Sequence, residues 1–309
     1  MLTLKNCSLA SCVLLTIAAQ AAPEVALAHR AADKTVTVTI DGKVFNEYRY
    51  GNESKPIIYP IIGPYEIPMT RNYPMKKGVA DEATDHPHHQ SMHYNHPING
   101  VNFWLGRHGE RIRNDEIVKA EVSKNEAVII SRNSWVKGDT IICTDITEIR
   151  SGLTEGGRYI DYKVTIHASN GDIKFEDSKE GTMSIRTHPA LRLQGKVAKG
   201  SAINSEGVTG KAVWGQIAKW VDYWEPIGDK TVGVAIFDHP TNPRHPTTWM
   251  ARDYGIVTAN PFGKKYLKRG QGAMTVKNGD SVIFLYRFYF HKGDHKAANI
   301  VKEYETWGK

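Results

Sequence analysis

The sequence predicts an all-β protein, a large antiparallel β-sandwich forming one domain over residues 35–309. Three observations carry this. Short stretches of apolar and polar alternation recur along the chain, closed by Gly, Asn or Asp turns. No stretch sustains the 3.6-residue period of a long amphipathic helix. No strand-helix-strand alternation is visible, which excludes a parallel-sheet architecture.

The first residues read as a leader. Lys5 precedes an apolar run over residues 9–19, and Ala19-Gln20-Ala21 supplies small residues for cleavage before Ala22. An apolar core of about ten residues is too short to span a bilayer and reads as a secretory signal peptide, residues 1–21. The mature protein is then periplasmic or secreted. Cys143 is its one cysteine, so the fold must rest on a large core and not on disulfides.

Residues 22–34, Ala-rich and polar, read as a flexible lead. Residues 35–40 alternate with period two, Asp41-Gly42 turns the chain, and residues 44–50 return, a hairpin. Residues 56–64 are apolar but punctuated by Pro56, Pro60 and Pro64, the mark of an edge strand or of a chain crossing one end of a sheet. Residues 68–97 read as loop. Strands are expected at 117–123, 127–133, 140–150, 158–167 and 173–175, in an antiparallel meander. Residues 181–194 look extended and 196–210 read as a loop. Residues 214–225 hold three tryptophans at a spacing that suits either helix or strand. Strands are expected again at 231–238 and 281–290, and a polar tail from Gly293.

The formal charge is +7, with one local basic cluster, Lys264-Lys265-Tyr266-Leu267-Lys268-Arg269. Without a basic stripe or a recognised module, nucleic acid is not an expected partner. No transmembrane segment is expected in the mature chain. A phosphate-binding glycine loop, a zincin helix, a serine nucleophile elbow and a CxxC pair are all missing from the sequence.

Chemistry concentrates in residues 84–97, which hold five of the thirteen histidines. Histidine is the side chain suited to proton transfer near neutrality and a common metal ligand. If the chain is extended here, His86 and His88 face one way and Asp85 and His89 the other. Asp238-His239-Pro240 repeats the local chemistry of Asp85-His86-Pro87, just past an apolar strand. His86, His88, His89, Asp238, His239 and Arg252 are therefore the candidate catalytic residues. Arg71, Tyr73, His93, Trp104, Arg244, His245, Trp249 and Tyr254 are candidates for holding substrate, through guanidinium, phenol and ring-stacking contacts. Either no cofactor is needed, or one divalent metal is held by His86, His88 and His239. The expected partner is a carbohydrate or another small polar molecule.

Several motifs carry a resemblance. Lys55-Pro56-x-x-Tyr59-Pro60, Thr70-Arg71-Asn72-Tyr73-Pro74, Asp85-His86-Pro87-His88-His89 and Asn99-Gly100-Val101-Asn102-Phe103-Trp104 resemble the family labelled PmoA-like, or DUF6807. The likeness resumes at Trp220-Val221-Asp222-Tyr223 and runs on through Asp238-His239-Pro240-x-Asn242-Pro243-Arg244-His245-Pro246 and Arg252-Asp253-Tyr254-Gly255. One departure is Gln90-Ser91-Met92-His93-Tyr94, where the family pattern has Arg-Gly-Leu or Ile followed by an aromatic. The label invokes a methane oxygenase, but a membrane-embedded oxygenase subunit needs spanning helices and this sequence has none beyond the leader. The resemblance implies an exported bacterial protein and a fold similar to the galactose-mutarotase-like supersandwich. That superfamily uses histidines with acidic or arginine partners on a concave sheet face. The expectation is an exported carbohydrate-active enzyme, hydrolase or lyase in type, with a histidine-centred site. The alternatives are a noncatalytic glycan-binding module and a metal-dependent hydrolase.

Overall fold

The computed structural model describes residues 23–52, 54–267 and 271–309. The predicted signal peptide, with Cys7 and Cys12, lies outside them, as do Lys268 and Arg269 of the basic cluster. The first half of the chain forms strands β1 (Val25–Arg30), β2 (Thr35–Ile40), β3 (Lys43–Arg49), β4 (Ile57–Ile61), β5 (Met92–Asn95), β6 (Glu110–Ser123), β7 (Glu126–Lys137), β8 (Thr140–Leu153) and β9 (Gly157–His167). The second half forms β10 (Ile173–Phe175), β11 (Thr182–Arg186), β12 (Ser201–Asn204), β13 (Trp220–Ile227), β14 (Lys230–Asp238), β15 (Trp249–Ala251), β16 (Ile256–Ala259), β17 (Met274–Val276) and β18 (Ser281–Lys292).

These strands make the predicted sandwich. One sheet runs β1-β2-β3-β4-β5-β11-β16-β15 and the other β12-β13-β14-β18-β9-β8-β7-β6, antiparallel throughout. The period-two pattern explains the layers. On β9, Ile160, Tyr162, Val164 and Ile166 enter the core while the residues between them face out. Met92 and Tyr94 on β5, and Met183 and Ile185 on β11, enter the same core from the other side. Cys143 is buried there and unpaired. No helix among the described residues is long and apolar enough to cross a membrane.

Several expectations are corrected. The supposed flexible lead contains β1, which pairs with β2 along its whole length and buries Val25. Its alternation escapes notice because three of its six residues are the small Ala26, Ala28 and the polar His29. The proline-punctuated segment is no edge. β4 lies between β3 and β5, but β5 meets it at one pair, Ile58 and Met92, so the missing N–H of Pro60 interrupts little. Residues 201–204 of the supposed loop add β12 as the rim of the second sheet. The tryptophan-rich segment is the strand β13, preceded by a 3-10 turn at Gly210–Val213. Val221 and Tyr223 face the core while Trp220 lies on the opposite face under a helix, and the buried Glu225 and Asp222 put a carboxylate on each of these faces, so both faces are buried and no alternation shows.

That helix, Ile300–Trp307, replaces the expected polar tail. Ile300 and Tyr304 close over Trp220, Ala235, Phe237 and Tyr289 on the outer face of the second sheet. Removing the Tyr304 ring opens a cavity over Phe237, against which it packs edge-on at 5.6 Å. Tyr304→Ala is expected to lower stability by about 3 kcal/mol in urea titration.

Candidate functional site

The outer face of the first sheet is polar yet enclosed. Because Met92, Tyr94, Met183 and Ile185 face the core, His93, Ser184 and Arg186 face outward. His93 and Ser184 stand directly opposite in register, and Ser184 Oγ lies 3.0 Å from Thr258 Oγ1. All of them are buried, because residues 68–91 and the turn carrying Trp104 are laid over this face. The histidine-rich stretch, expected to be one loop, is therefore divided: its first half belongs to the cover and residues 92–95 are a buried strand within the sheet.

Arg71 fastens the cover. Its buried guanidinium donates to the carbonyls of Tyr73 (3.1 Å), Ala83 (3.2 Å), Asp85 (3.0 Å), His86 (3.0 Å) and His89 (3.3 Å), and to Asp85 Oδ1 at 2.7 Å. A guanidinium taken out of water costs several kcal/mol unless its donors are matched, and here the loop backbone matches them. Arg71 is thus committed to the protein and is not the substrate clamp expected from sequence. Tyr73 packs beneath it, with the guanidinium 5.3 Å from the ring centre.

The backbone of residues 86–89 turns rather than extends. His86 has φ 46°, and the His89 N–H donates to the His86 carbonyl at 3.0 Å. The expected pairing of His86 with His88 is therefore replaced. The rings of His86 and His89 stack at 4.8 Å and 6°, while His88 lies across His89, edge-on at 4.4 Å. His86 also stacks on Tyr254 at 5.5 Å. Its Nδ1 donates to Asp85 Oδ2 at 2.8 Å. Burial works against the Asp85 carboxylate, but the His86 hydrogen bond and the Arg186 and Arg71 charges hold it below its ordinary range.

Burial, with neighbouring positive charge, pushes His88 down to about 3 and His89 and His93 well below the usual imidazole range. All three rings are neutral at physiological pH. His89 Nδ1, His93 Nε2 and the indole N–H of Trp104 are buried without a hydrogen-bond partner.

Above this arrangement is a cavity of about 250 Å³, lined by His86, His89, Trp104, Arg252, Tyr254 and Glu180, with Met250, Trp214 and Lys179 completing the wall. The Arg252 guanidinium sits 5.3 Å from the Tyr254 ring and 5.8 Å from Trp214. Arg186 approaches the Tyr254 ring at 4.8 Å. The cavity offers two imidazoles, a phenol, one carboxylate and the positive charge of Arg252 over an indole and the phenol ring. That set can transfer protons and stabilise a developing negative charge.

Of the candidate residues, the structure brings His86, His89, Trp104, Arg252 and Tyr254 to one cavity, with His93 packed behind Trp104 at 5.6 Å. It does not bring Asp238, His239 or His245 there. Asp238 accepts from His245 Nδ1 (2.8 Å), Asn242 Nδ2 (2.8 Å) and the Thr247 N–H (3.0 Å), a knot beside Tyr304 of the C-terminal helix. His239 packs edge-on against Trp307 at 4.9 Å. Arg244 donates to the carbonyls of Pro261, Gly272 and Ala273, and Trp249 is core, its N–H on the Ala218 carbonyl at 2.9 Å. The expected second wall therefore begins at Met250 instead of Asp238, because β14 ends in the second sheet and the chain crosses to the first only at β15. His86, His88 and His239 do not converge, and among the described residues no group of three or more His, Cys, Asp or Glu is placed to hold a metal. Sequence reasoning missed Asp85 as a partner for His86, and Lys179, Glu180, Trp214 and Met250 as lining. Only the Asp-His-Pro triplet offered a signal for any of these.

Behind the cover, Glu225 on β13 is buried with both carboxyl oxygens unpartnered and His188 Nδ1 4.0 Å away. Burial pushes its carboxyl up to about 7, with Lys199 opposing. The folded state thus keeps a proton that the unfolded chain releases near 4.5. This contribution is fully present below that pH and is lost as pH rises through about 7. Glu225→Gln is expected to flatten the fall in stability between these pH values and to add about 1–2 kcal/mol at pH 8, read by urea titration across pH. Arg71→Lys keeps the charge but loses the planar fork. It is expected to cost about 2–3 kcal/mol and to speed amide exchange at residues 83–89.

No curated protein matches the chain by sequence. Among solved structures, it is similar to the galactosidase domain of an alpha-galactosidase-sucrose kinase, at 7% identity and TM-score 0.44 over 87% of this chain and 42% of that one. It is also similar to heparan sulfate lyase HepC from Pedobacter heparinus, at 10% identity and TM-score 0.41, over 84% of this chain and 34% of that one. A putative aldose 1-epimerase from Escherichia coli K12 aligns at 10% identity and TM-score 0.36, over 88% and 99%. The chain spans less than half the length of the first two. Residues 35–305 match a family of unknown function, DUF6807, and with nearly the whole sandwich inside that match, the chain belongs to this family.

Proposed function

We propose that the chain is a carbohydrate-active enzyme of lyase type, working outside the cytoplasm by imidazole acid-base chemistry. The observation that carries this reading is the Asp85–His86 pair at the cavity wall, 2.8 Å apart, with His86 stacked on His89 and Tyr254. With Nδ1–H on Asp85, His86 has its Nε2 lone pair for a substrate proton. The cavity volume of about 250 Å³ suits one sugar unit, and the indole-bearing Trp104 and Trp214 are among its lining residues. Hydrolysis by paired carboxylates requires two acids flanking the bond, and the lining contains one, Glu180. Elimination needs one base, one acid and a cation.

In this reading His86 takes a proton from the carbon beside a carboxylate or keto group, and Arg252 stabilises the resulting negative charge. The carbon–oxygen bond to the leaving sugar then breaks and a carbon–carbon double bond forms. The leaving oxygen takes a proton from the Tyr254 phenol, which burial holds in its protonated form. His89, kept neutral, holds the substrate by hydrogen bonding and does not repel Arg252. The positive charge comes from the protein, so the scheme does not call on a resident metal.

The test is a screen of oligosaccharides for products absorbing as unsaturated sugars, comparing wild type with His86→Asn. The expected result is turnover by wild type and a loss of about a hundredfold to a thousandfold in the variant, with unchanged thermal stability. Binding without turnover by wild type would make the chain a glycan-binding module and overturn the reading, as would an active His86→Asn.

A further inference from the structure

The turn carrying His86 and His89 has a second side. His88 faces a larger, more open basin of about 610 Å³, lined by Asn52, Ser54, Lys77, Gln90 and Arg107 along with Pro87 and neighbouring apolar groups. The two spaces share a wall. His88 of the basin lies 4.4 Å from His89 of the cavity, and the consecutive residues Trp104 and Leu105 line one and the other.

Among its described lining residues the basin is unbalanced in charge; Glu53, between Asn52 and Ser54 in the chain, lies outside the described residues. Lys77 and Arg107 are exposed, and neither makes an ion pair with a described residue. No carboxylate appears among its described lining residues. The Asn52 amide nitrogen and His88 Nδ1 are buried there without partners. Lys55 is fully enclosed behind His88, with its ammonium on the His88 carbonyl at 3.0 Å. Burial pushes Lys55 down to about 7, and after burial the charges of Lys55 and Arg107 are among the causes that depress His88. Exposed lysines and arginines alone mark an ordinary solvated surface. Here they surround a buried amide donor, an unpartnered imidazole nitrogen and an enclosed ammonium, with no described counter-charge.

We infer that this basin is an anion subsite, which takes the carboxylate or sulfate ester of the sugar unit adjoining the one in the cavity, so that the substrate is an acidic oligosaccharide. An anion seated between Lys77, Arg107 and His88 meets donors that the protein itself leaves unmatched. It also stabilises the protonated form of His88, so anion binding and His88 protonation reinforce each other. This assignment rests on the carbohydrate reading for the identity of the molecule that bears the anion; the unpaired positive charge of the described residues stands without it.

The experiment is calorimetric titration at low and high salt with three probes: a uronic-acid trisaccharide, its carboxyl-reduced neutral counterpart, and a sulfated neutral trisaccharide. Wild type is compared with the double variant Lys77→Gln/Arg107→Gln, whose side chains are exposed and whose loss leaves the fold intact. At least one acidic probe is expected to bind about tenfold or more tightly than the neutral one. That preference should shrink with salt and disappear in the double variant. Which acidic probe wins distinguishes carboxylate from sulfate ester. In parallel, the His88 ring signals should titrate at higher pH with the acidic probe bound. Equal binding of acidic and neutral probes, or a preference that survives in the double variant, overturns the inference. An acidic probe that binds by this pattern but is never turned over sinks the lyase reading and leaves the anion subsite standing. Turnover without any acidic preference does the reverse.

Discussion

The guanidinium of Arg71 lies between the first sheet and the chain folded over it, and oxygens from Tyr73, Ala83, Asp85, His86 and His89 converge on it. Such a cation is unstable away from water unless its fork is filled. Filling it requires residues 83–89 to bring their carbonyls inward, which bends the backbone and gives His86 its left-handed φ. The bend sets His86 and His89 face to face and turns Asp85 onto His86. Arg186 supports the same carboxylate from β11, at 3.4 Å, and stacks on Tyr254. One buried charge thus determines the shape of the cover, and the cover determines the site.

The sandwich divides the work between its sheets. The second sheet, with its long strands β6 to β9, is a broad support whose outer face the C-terminal helix covers over β13, β14 and β18. The first sheet directs polar side chains away from the core and then buries them under the cover. Buried polar atoms in native proteins are nearly always paired. Here His88 Nδ1, His89 Nδ1, His93 Nε2 and the Trp104 N–H gather unpartnered around one indole, with ring separations of 5.3 to 6.0 Å. An ensemble of neutral imidazoles with spare hydrogen-bonding capacity is costly to maintain for stability alone, and it suits a surface that receives a polar ligand.

Much of the fold was legible in the residues. Alternation over 35–40, 158–167 and 281–290 identified strands that lie where expected, because each covers one core face and exposes the other. The segments that were misread share a physical cause. β13 is buried on both faces, by the core and by the helix, and carries a carboxylate on each, so period two vanishes. β5 carries His93 and Asn95 on a face that is polar but buried, so it resembled a loop. The helix Ile300–Trp307 is one face of apolar residues among charges, too short for its period to stand out.

By itself, the sequence determined the sandwich, the family resemblance and the concentration of histidine in one stretch, because these depend on residue type and on local period. It also named Arg252, Tyr254 and Trp104 as candidates, and these three line one cavity. Only the tertiary structure decided that Arg71 is a fastening and not a clamp, that Asp85 orients His86, and that Asp238, His239 and His245 serve the opposite sheet. Those outcomes turn on which sheet each strand joins and on where a buried charge finds its acceptors. Neither is a property of any local window of the chain.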